Sequence, residues 1–226
     1  MTKRLADESP EYTKAREELL QAEISLKEQC ERVAALRRAL PPGPEVTDYA
    51  LSEPAGPLQA GSCTPRRVYL SELFSDPARP LLLIHFMYGG AQENPCPMCS
   101  MWADSYDAVV RHVTQHANLV LCAEAEIGKL AAWALERGWE NLRIVSSHGT
   151  SLKDDLKMQD EAGVQQPGVS VFTRDEEGRI RHFYTVEALM APGHFRGVDR
   201  LSPVWNLFDL LPEGRGDWWP RLRYDP

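Results

Sequence analysis

The run Leu81-Leu82-Leu83-Ile84-His85-Phe86-Met87 is almost continuously apolar and too short for a buried helix. Such a run predicts a central strand covered on both faces. After a loop from Tyr88 to Pro95, apolar or aromatic residues at Trp102, Tyr106, Val109, Val110 and Val113 fall at helical spacing, so 100–116 reads as a helix. Asn118-Leu119-Val120-Leu121-Cys122 is then a strand, 126–137 a helix ended by Gly138, and Leu142-Arg143-Ile144-Val145 a further strand. This alternation predicts a parallel sheet with helical crossovers. Val169-Ser170-Val171-Phe172 and Ile180-Arg181-His182-Phe183-Tyr184 flank the turn signal Arg174-Asp175-Glu176-Glu177-Gly178, so the sheet is expected to end antiparallel. A helix over 203–211 and the aromatic pair Trp218-Trp219 complete the pattern.

Ahead of the sheet, residues 10–40 read as one long helix, opened by Pro10 and stopped by Pro41-Pro42-Gly43-Pro44. Leu19, Leu20, Ile24, Leu26, Val33, Leu36 and Leu40 form a loose stripe along it, fit to cover its own domain or to meet a second subunit as a homodimer. Residues 41–67, rich in Pro, Gly and Ser, have few apolar positions at either regular period and read as a long surface connection. Val68-Tyr69-Leu70 is a short strand, followed by a helical turn at Ser71-Glu72-Leu73-Phe74 with Ser71 as its cap. The expected organisation is therefore an N-terminal helix and wrapping linker (1–67), a main domain (68–212) and a tail (213–226).

Charge narrows the partners. The 226 residues carry a net charge of −8 from 33 acidic and 25 basic side chains that are interspersed, which disfavours nucleic acid and anionic membranes. The charged start lacks the apolar core of a secretory signal, and no apolar run approaches the roughly 18 residues needed to span a bilayer. A cytoplasmic protein is expected, and in that setting five cysteines, an odd number, read as reduced thiols rather than a disulfide framework.

Two of those cysteines carry the candidate chemistry. In Cys96-Pro97-Met98-Cys99, Pro97 suits the first position of a helix, where a missing N–H costs nothing. If Cys96 precedes the first turn, unpaired N–H groups and the positive helix end favour its thiolate, and Cys99 comes round beneath it. Cys96 is then the nucleophile and Cys99 the resolving thiol of a thiol-disulfide oxidoreductase that needs no cofactor. Structural zinc would need two more ligands, and Cys30, Cys63 and Cys122 are isolated in sequence. Two alternatives stay open: a copper-handling protein using Cys96 and Cys99 with Met98 or a histidine as soft ligands, and an interaction module that dimerises through its N-terminal helix.

The segments His85-Phe86-Met87, Cys96-Pro97-Met98-Cys99-Ser100-Met101-Trp102-Ala103-Asp104, Gly138-Trp139, Val145-Ser146-Ser147, 167–175 and 209–215 carry a family signature. Over residues 10–216 the chain resembles the bacterial thioredoxin-like family catalogued as Domain of Unknown Function 899, whose members are generally labelled predicted dithiol-disulfide oxidoreductases. The resemblance implies an α/β, thioredoxin-like three-layer fold with a central mixed sheet, a peroxiredoxin-like insertion and a long N-terminal helix. It implies protein or small-molecule thiols and disulfides as partners. By analogy with thioredoxins at large, Pro167 holds the place of the proline, usually cis, that stands beside the active disulfide. His85 looks like the occupant of the central-strand position that relays a proton to the resolving cysteine. The chain departs from the peroxiredoxin pattern, since Asn94-Pro95 stands where a Thr and Pro would precede a peroxidatic cysteine; a peroxiredoxin-like peroxidase is therefore a minor alternative.

Remaining candidates read as structural. The six tryptophans suit core or groove-lining roles, and Asp154-Asp155 with Asp160-Glu161 suit a solvated loop. His112, His116, His148, His182 and His194 have no spacing of a metal site, and Gly89-Gly90 lacks the Lys-Ser/Thr of a phosphate loop.

Overall fold

A computed structural model describes residues 5–58, 63–190 and 196–224, so His194 lies outside the described residues. The chain divides into two compact units, 1–41 and 42–226. The first is the helix α1, Pro10–Arg38. Ser9 Oγ accepts from the Tyr12 N–H, Pro10 occupies the first turn, and Arg37 and Arg38 sit in the last turn, where cations favour the helix dipole. No residue of α1 is buried, and Leu19, Ile24, Leu26 and Leu36 of the stripe are exposed.

The second unit is built on seven strands: β1 (Ala50–Pro54), β2 (Pro65–Tyr69), β3 (Leu81–Phe86), β4 (Asn118–Ala123), β5 (Arg143–Ser146), β6 (Gly168–Arg174) and β7 (Ile180–Glu187). Their order across the sheet is β2-β1-β5-β4-β3-β6-β7. β3, β4 and β5 run parallel, β6 and β7 antiparallel to their neighbours, and β1 antiparallel to both β5 and β2. The parallel connections are made by α2 (Pro97–Val113) and α3 (Ile127–Arg137); α3 ends at Gly138 in the left-handed region, φ +72°. Two short helices follow, α4 (Leu152–Asp155) and α5 (Pro203–Phe208).

Side chains alternate along β3, and this divides the core into two layers. Ile84 and Phe86 pack with Cys99, Trp102, Leu130 and Trp205, so α2, α3 and α5 cover one face. Leu81 and Leu83 pack with Val120, Cys122, Phe172 and Leu152, so α4 and the turn at Leu70–Leu73 cover the other. This is the three-layer, mixed-sheet arrangement of a thioredoxin-like fold. Each Leu or Phe fully withdrawn from water here is worth about 1.5–3 kcal/mol, which is why the uninterrupted apolar run of β3 sits inside the sheet.

Several local expectations are corrected. The stretch 41–67 does more than wrap: β1 lies within it and joins the sheet beside β5. Its five residues show only Leu51 as a buried hydrophobe, and the neighbouring inward position is Glu53, a buried carboxylate held by Arg66 and by Arg143 at 2.9 Å. A strand that spends an inward position on a charge has no apolar alternation to read. The turn at Leu70–Leu73 is a 3₁₀ turn in which the Glu72 carboxylate accepts from the Tyr69 N–H, while Ser71 bonds to Asp48 instead of capping. Asp154-Asp155 belong to α4 rather than to a loop. The last helix stops at Phe208, short of Leu211.

The loop from β3 to α2 is fastened to the end of β4, where the Ala125 N–H donates to the Tyr88 carbonyl at 2.8 Å. Gly89, at φ +92°, makes this approach possible, because a Cβ there would fall on the backbone of Ala125. Gly89→Ala is expected to lower unfolding free energy by about 2 kcal/mol or more, whereas Gly56→Ala, with open space at its Cβ, stays within about 0.5 kcal/mol. Urea denaturation of the two variants checks this.

Candidate functional site

β3 ends at Phe86, and the chain returns so that the Cys96 N–H donates to the Met87 carbonyl at 3.0 Å. Gln92 braces the loop, its Nε2 donating to the carbonyls of Met87 (3.1 Å) and Asn94 (3.0 Å). Cys96 has extended backbone angles and is the residue before the first turn of α2, with Pro97 next. Its sulfur takes the place of a capping oxygen and accepts from the Cys99 N–H at 3.4 Å. Its carbonyl accepts from the Ser100 N–H and hydroxyl, both at 2.9 Å, and Ser100 Oγ in turn accepts from Trp133 Nε1 at 3.2 Å. The helix start is thereby tied to α3 as well as to β3.

The two sulfurs have opposite electrostatics. A hydrogen bond from the Cys99 thiol lowers the Cys96 pKa most; burial opposes it, the Cys99 and Met98 N–H groups add to it, and the result is lowered to about 7. Cys99, only 3% exposed, is pushed well above the ordinary thiol range by burial first, then by donating to Cys96 and by the Cys96 charge. Opposing these, the Met87 N–H and the charge of Lys153 favour a Cys99 thiolate. Cys96 is half-buried, so the sulfur that ionises readily is also the one within reach of solvent. Behind the pair, Tyr106 carries a buried hydroxyl whose pKa is raised by burial and by Cys99.

Pro167 lies at the C-terminal end of β3, since Gly168 pairs with His85. Its peptide bond is trans, as are all those described, which corrects the cis expectation. The backbone on either side is already held extended, with the Gln166 N–H on Met158 O at 2.8 Å and the Ala188 N–H on Pro167 O at 3.1 Å, and trans is the cheaper isomer.

His85 is not brought to the cysteines. It alternates with Phe86 along β3 and shares the face of Leu81 and Leu83, opposite the layer that holds Cys99. Its Nε2 bonds to Ser170 Oγ at 2.8 Å, Ser170 to Thr185 at 2.7 Å, and Thr185 to His182 Nε2 at 2.7 Å. Burial first, then the charges of Lys153 and His182, hold its pKa well below the usual imidazole range, so it is neutral. The proton-relay expectation thus meets a residue facing away from Cys99.

The residue that sequence reading missed is Lys153. It is 2% exposed, and its Nζ donates to the Phe86 carbonyl at 3.2 Å and to Gln165 Oε1 at 3.0 Å. Gln165 extends the network, its Oε1 accepting from the Tyr88 N–H at 3.3 Å and its Nε2 donating to Gly89 O (2.8 Å) and Glu124 Oε2 (3.1 Å). Nothing in Ser151-Leu152-Lys153-Asp154-Asp155 distinguishes this lysine locally; only the packing of α4 under the sheet does.

Met98 borders a cavity of about 310 Å³ whose walls include Trp205, Trp218, Arg196 and Arg215. Asp199 holds both arginines, at 2.5 and 3.0 Å, and the Arg215 guanidinium lies 4.8 Å from the Trp205 ring centroid. Among the described residues, no group of three or more His, Cys, Asp or Glu side chains is placed to hold a metal ion.

The model of the bacterial protein family of unknown function DUF899 matches residues 1–224, nearly the full chain. The protein belongs to this family. No curated protein is a significant match. Among solved structures, AhpC of Mycobacterium bovis is similar at 13% identity over 80% of this chain and 98% of its own, TM-score 0.48. Thioredoxin peroxidase I of Plasmodium yoelii is similar at 17% identity over 82% and 100%, TM-score 0.47. The exposed lipoprotein thioredoxin Etrx1 of Streptococcus pneumoniae is similar at 12% identity over 69% and 98%, TM-score 0.42. This DUF899 member carries, at the start of α2, a cysteine pair fit for redox chemistry. No helix among its described residues is long and apolar enough to cross a membrane.

Because only the thiolate alkylates, the Cys96 pKa of about 7 sets the pH dependence of labelling. The rate of iodoacetamide modification at Cys96, followed by peptide mass spectrometry, is expected to rise with pH through a midpoint near 7 and then level off. Cys99 should remain slow throughout that range. A midpoint at the ordinary thiol value would contradict the arrangement.

Proposed function

We propose that this protein is a thiol-disulfide oxidoreductase in which Cys96 is the nucleophile and Cys99 the resolving thiol. The observation that carries the reading is the placement of the pair at the start of α2, where the half-buried Cys96 sulfur accepts from the Cys99 N–H at 3.4 Å and Cys99 is buried beneath it, so that the Cys96 pKa is lowered while that of Cys99 is raised. The Cys96 thiolate attacks one sulfur of a substrate disulfide, forming a mixed disulfide and releasing the other sulfur as a thiolate. Cys99 then loses its proton and attacks the Cys96 sulfur, releasing the second substrate thiol and leaving a Cys96–Cys99 disulfide. Run in reverse, the same steps oxidise a substrate dithiol. Protein and small-molecule disulfides both fit this chemistry, and the cavity beside Met98 offers room for the group flanking the substrate sulfur.

The reading is tested by interrupting the second step. Cys99→Ala should accumulate mixed disulfides through Cys96 that dithiothreitol releases, and Cys96→Ala should form none. Absence of any adduct with glutathione disulfide or a protein disulfide would overturn it.

Hydroperoxide reduction is the second reading, and restricted access favours it: Cys99 is buried and Cys96 only partly exposed, so a small oxidant reaches the pair more easily than a folded protein does. The Cys96 thiolate would attack the peroxide oxygen, giving a sulfenic acid and an alcohol or water, and Cys99 would condense with it to a disulfide and water. Stopped-flow oxidation by hydrogen peroxide and by glutathione disulfide separates the two, since the faster reagent at equal concentration identifies the substrate class. Copper binding would have to rest on the two thiolates with Met98, and copper retained through gel filtration at one equivalent would favour it.

A further inference from the structure

Lys153 poses an energetic problem that its own contacts leave unsolved. An ammonium withdrawn from water costs several kcal/mol unless charge returns to it. Its described hydrogen bonds, however, go to two neutral oxygens, of Phe86 and Gln165. Glu124 is reached only through Gln165. Burial lowers the Lys153 pKa, and the groups whose negative charge works against that lowering are Cys122 first, then Cys99 and Glu124. Cys122 is fully buried on the face away from α2. Cys99 is the one coupled to a partly exposed thiol.

The route from Lys153 to Cys99 is a single peptide group. Lys153 Nζ donates to the carbonyl of Phe86 at 3.2 Å, and the N–H of the same peptide bond, belonging to Met87, favours the Cys99 thiolate. A donor on the carbonyl polarises the amide and strengthens what its N–H offers on the other side. The ammonium therefore acts on Cys99 both through space and through an oriented dipole. Gln165, bonded to Lys153, Tyr88 N–H and Gly89 O, locks this peptide and the loop leading to Cys96 in one arrangement.

We propose that Lys153 is a positioning residue that supports the negative charge forming on Cys99 when the mixed disulfide on Cys96 is resolved. This deepens the exchange reading and rests on it. In the step concerned, the Cys99 thiol gives its proton to solvent and the thiolate attacks the Cys96 sulfur. The bond between Cys96 and the substrate sulfur breaks, and the substrate leaves as a thiolate that takes up a proton. Lys153 stays protonated throughout. The ionisable groups facing Cys99 are Cys96, Tyr106 and Lys153; those facing Lys153 are Cys99, Cys122, Glu124 and His85. Of these, Lys153 alone brings a positive charge to Cys99, since His85 is neutral. Its removal raises the pH needed to ionise Cys99.

The test uses the full chain carrying Cys30→Ser and Cys63→Ser, mixed with one equivalent of dithiobis-nitrobenzoate and followed by stopped-flow release of thionitrobenzoate. The first release reports Cys96 attack and the second reports resolution by Cys99. Lys153→Met is expected to slow the second release by about tenfold or more near neutral pH and to move its pH midpoint upward, with the first changed by less than about threefold. Lys153→Arg, which keeps the charge, should retain most of the second rate. Two normal releases in Lys153→Met, or equal slowing in Lys153→Met and Lys153→Arg, would overturn the role of the charge while leaving exchange intact. Absence of the first release in the parent protein would instead overturn the exchange reading. Should Lys153→Met lose its near-ultraviolet circular dichroism, the parent decides the matter. The Lys153 Cε resonance must report an ammonium across the pH range of fast resolution and shift as Cys99 titrates; a neutral amine in that range would overturn the proposal.

Discussion

A sulfur capping a helix at the end of a buried strand is the arrangement on which the site depends. β3 is covered on both faces, so the point where its chain leaves the sheet is fixed by core packing rather than by the loop. The Met87 carbonyl then takes the Cys96 N–H, and α2 starts with a thiol where a hydroxyl or carboxylate would normally cap. Everything electrostatic follows from that geometry. The free N–H groups of the first turn face one sulfur, and the other sulfur, three residues on, is turned inward against Trp102 and Phe86. The same three-residue spacing exposes one thiol and buries the other, so the difference in their ionisation is a consequence of helical pitch.

How much of this was legible depended on whether the signal was local. The uninterrupted run 81–87 can only be a covered strand, and Pro97 between two cysteines can hardly be anything but a helix start, so β3 and α2 could be read directly. β1 could not, because its inward Glu53 is tolerated only through Arg66 and Arg143, and Arg143 comes from a strand 90 residues away. The face of His85 was legible in principle, since alternation from Ile84 and Phe86 sets it, but deciding which face receives α2 requires the tertiary structure. Lys153 was illegible for a deeper reason. A lysine among aspartates reads as solvated, and its burial arises from α4 closing under a sheet whose strands are distant in sequence.

The C-terminal edge of the parallel strands gathers the polar groups that the core excludes. Glu124 follows β4, Ser146 ends β5 and bonds to the Ala125 carbonyl at 2.6 Å, and Gln165 precedes β6. These are positions where strands stop and backbone groups need partners, so side chains supply them. Gln165 bonds to four residues, Tyr88, Gly89, Glu124 and Lys153, which makes this edge one cooperative unit with the Cys96 loop as its outer rim. The half-buried thiol of Cys96 therefore sits where backbone satisfaction already demands an ordered polar network.

That network also bears on the direction of electron flow. A disulfide is a stronger oxidant the more its reduced form is stabilised, and in this pair the stabilising contacts exist only while the sulfurs are reduced. The Cys99 thiol donates to the Cys96 thiolate, and oxidation removes both donor and acceptor at once. Against this stands the desolvation of Cys99, which penalises the reduced pair only in the state where Cys99 is ionised. Near neutral pH Cys99 is protonated and that penalty is not incurred, so the reduced form retains the thiol-thiolate bond without its cost. On the exchange reading, this contact stabilises the reduced pair, while the role proposed for Lys153 concerns only the step that closes the disulfide.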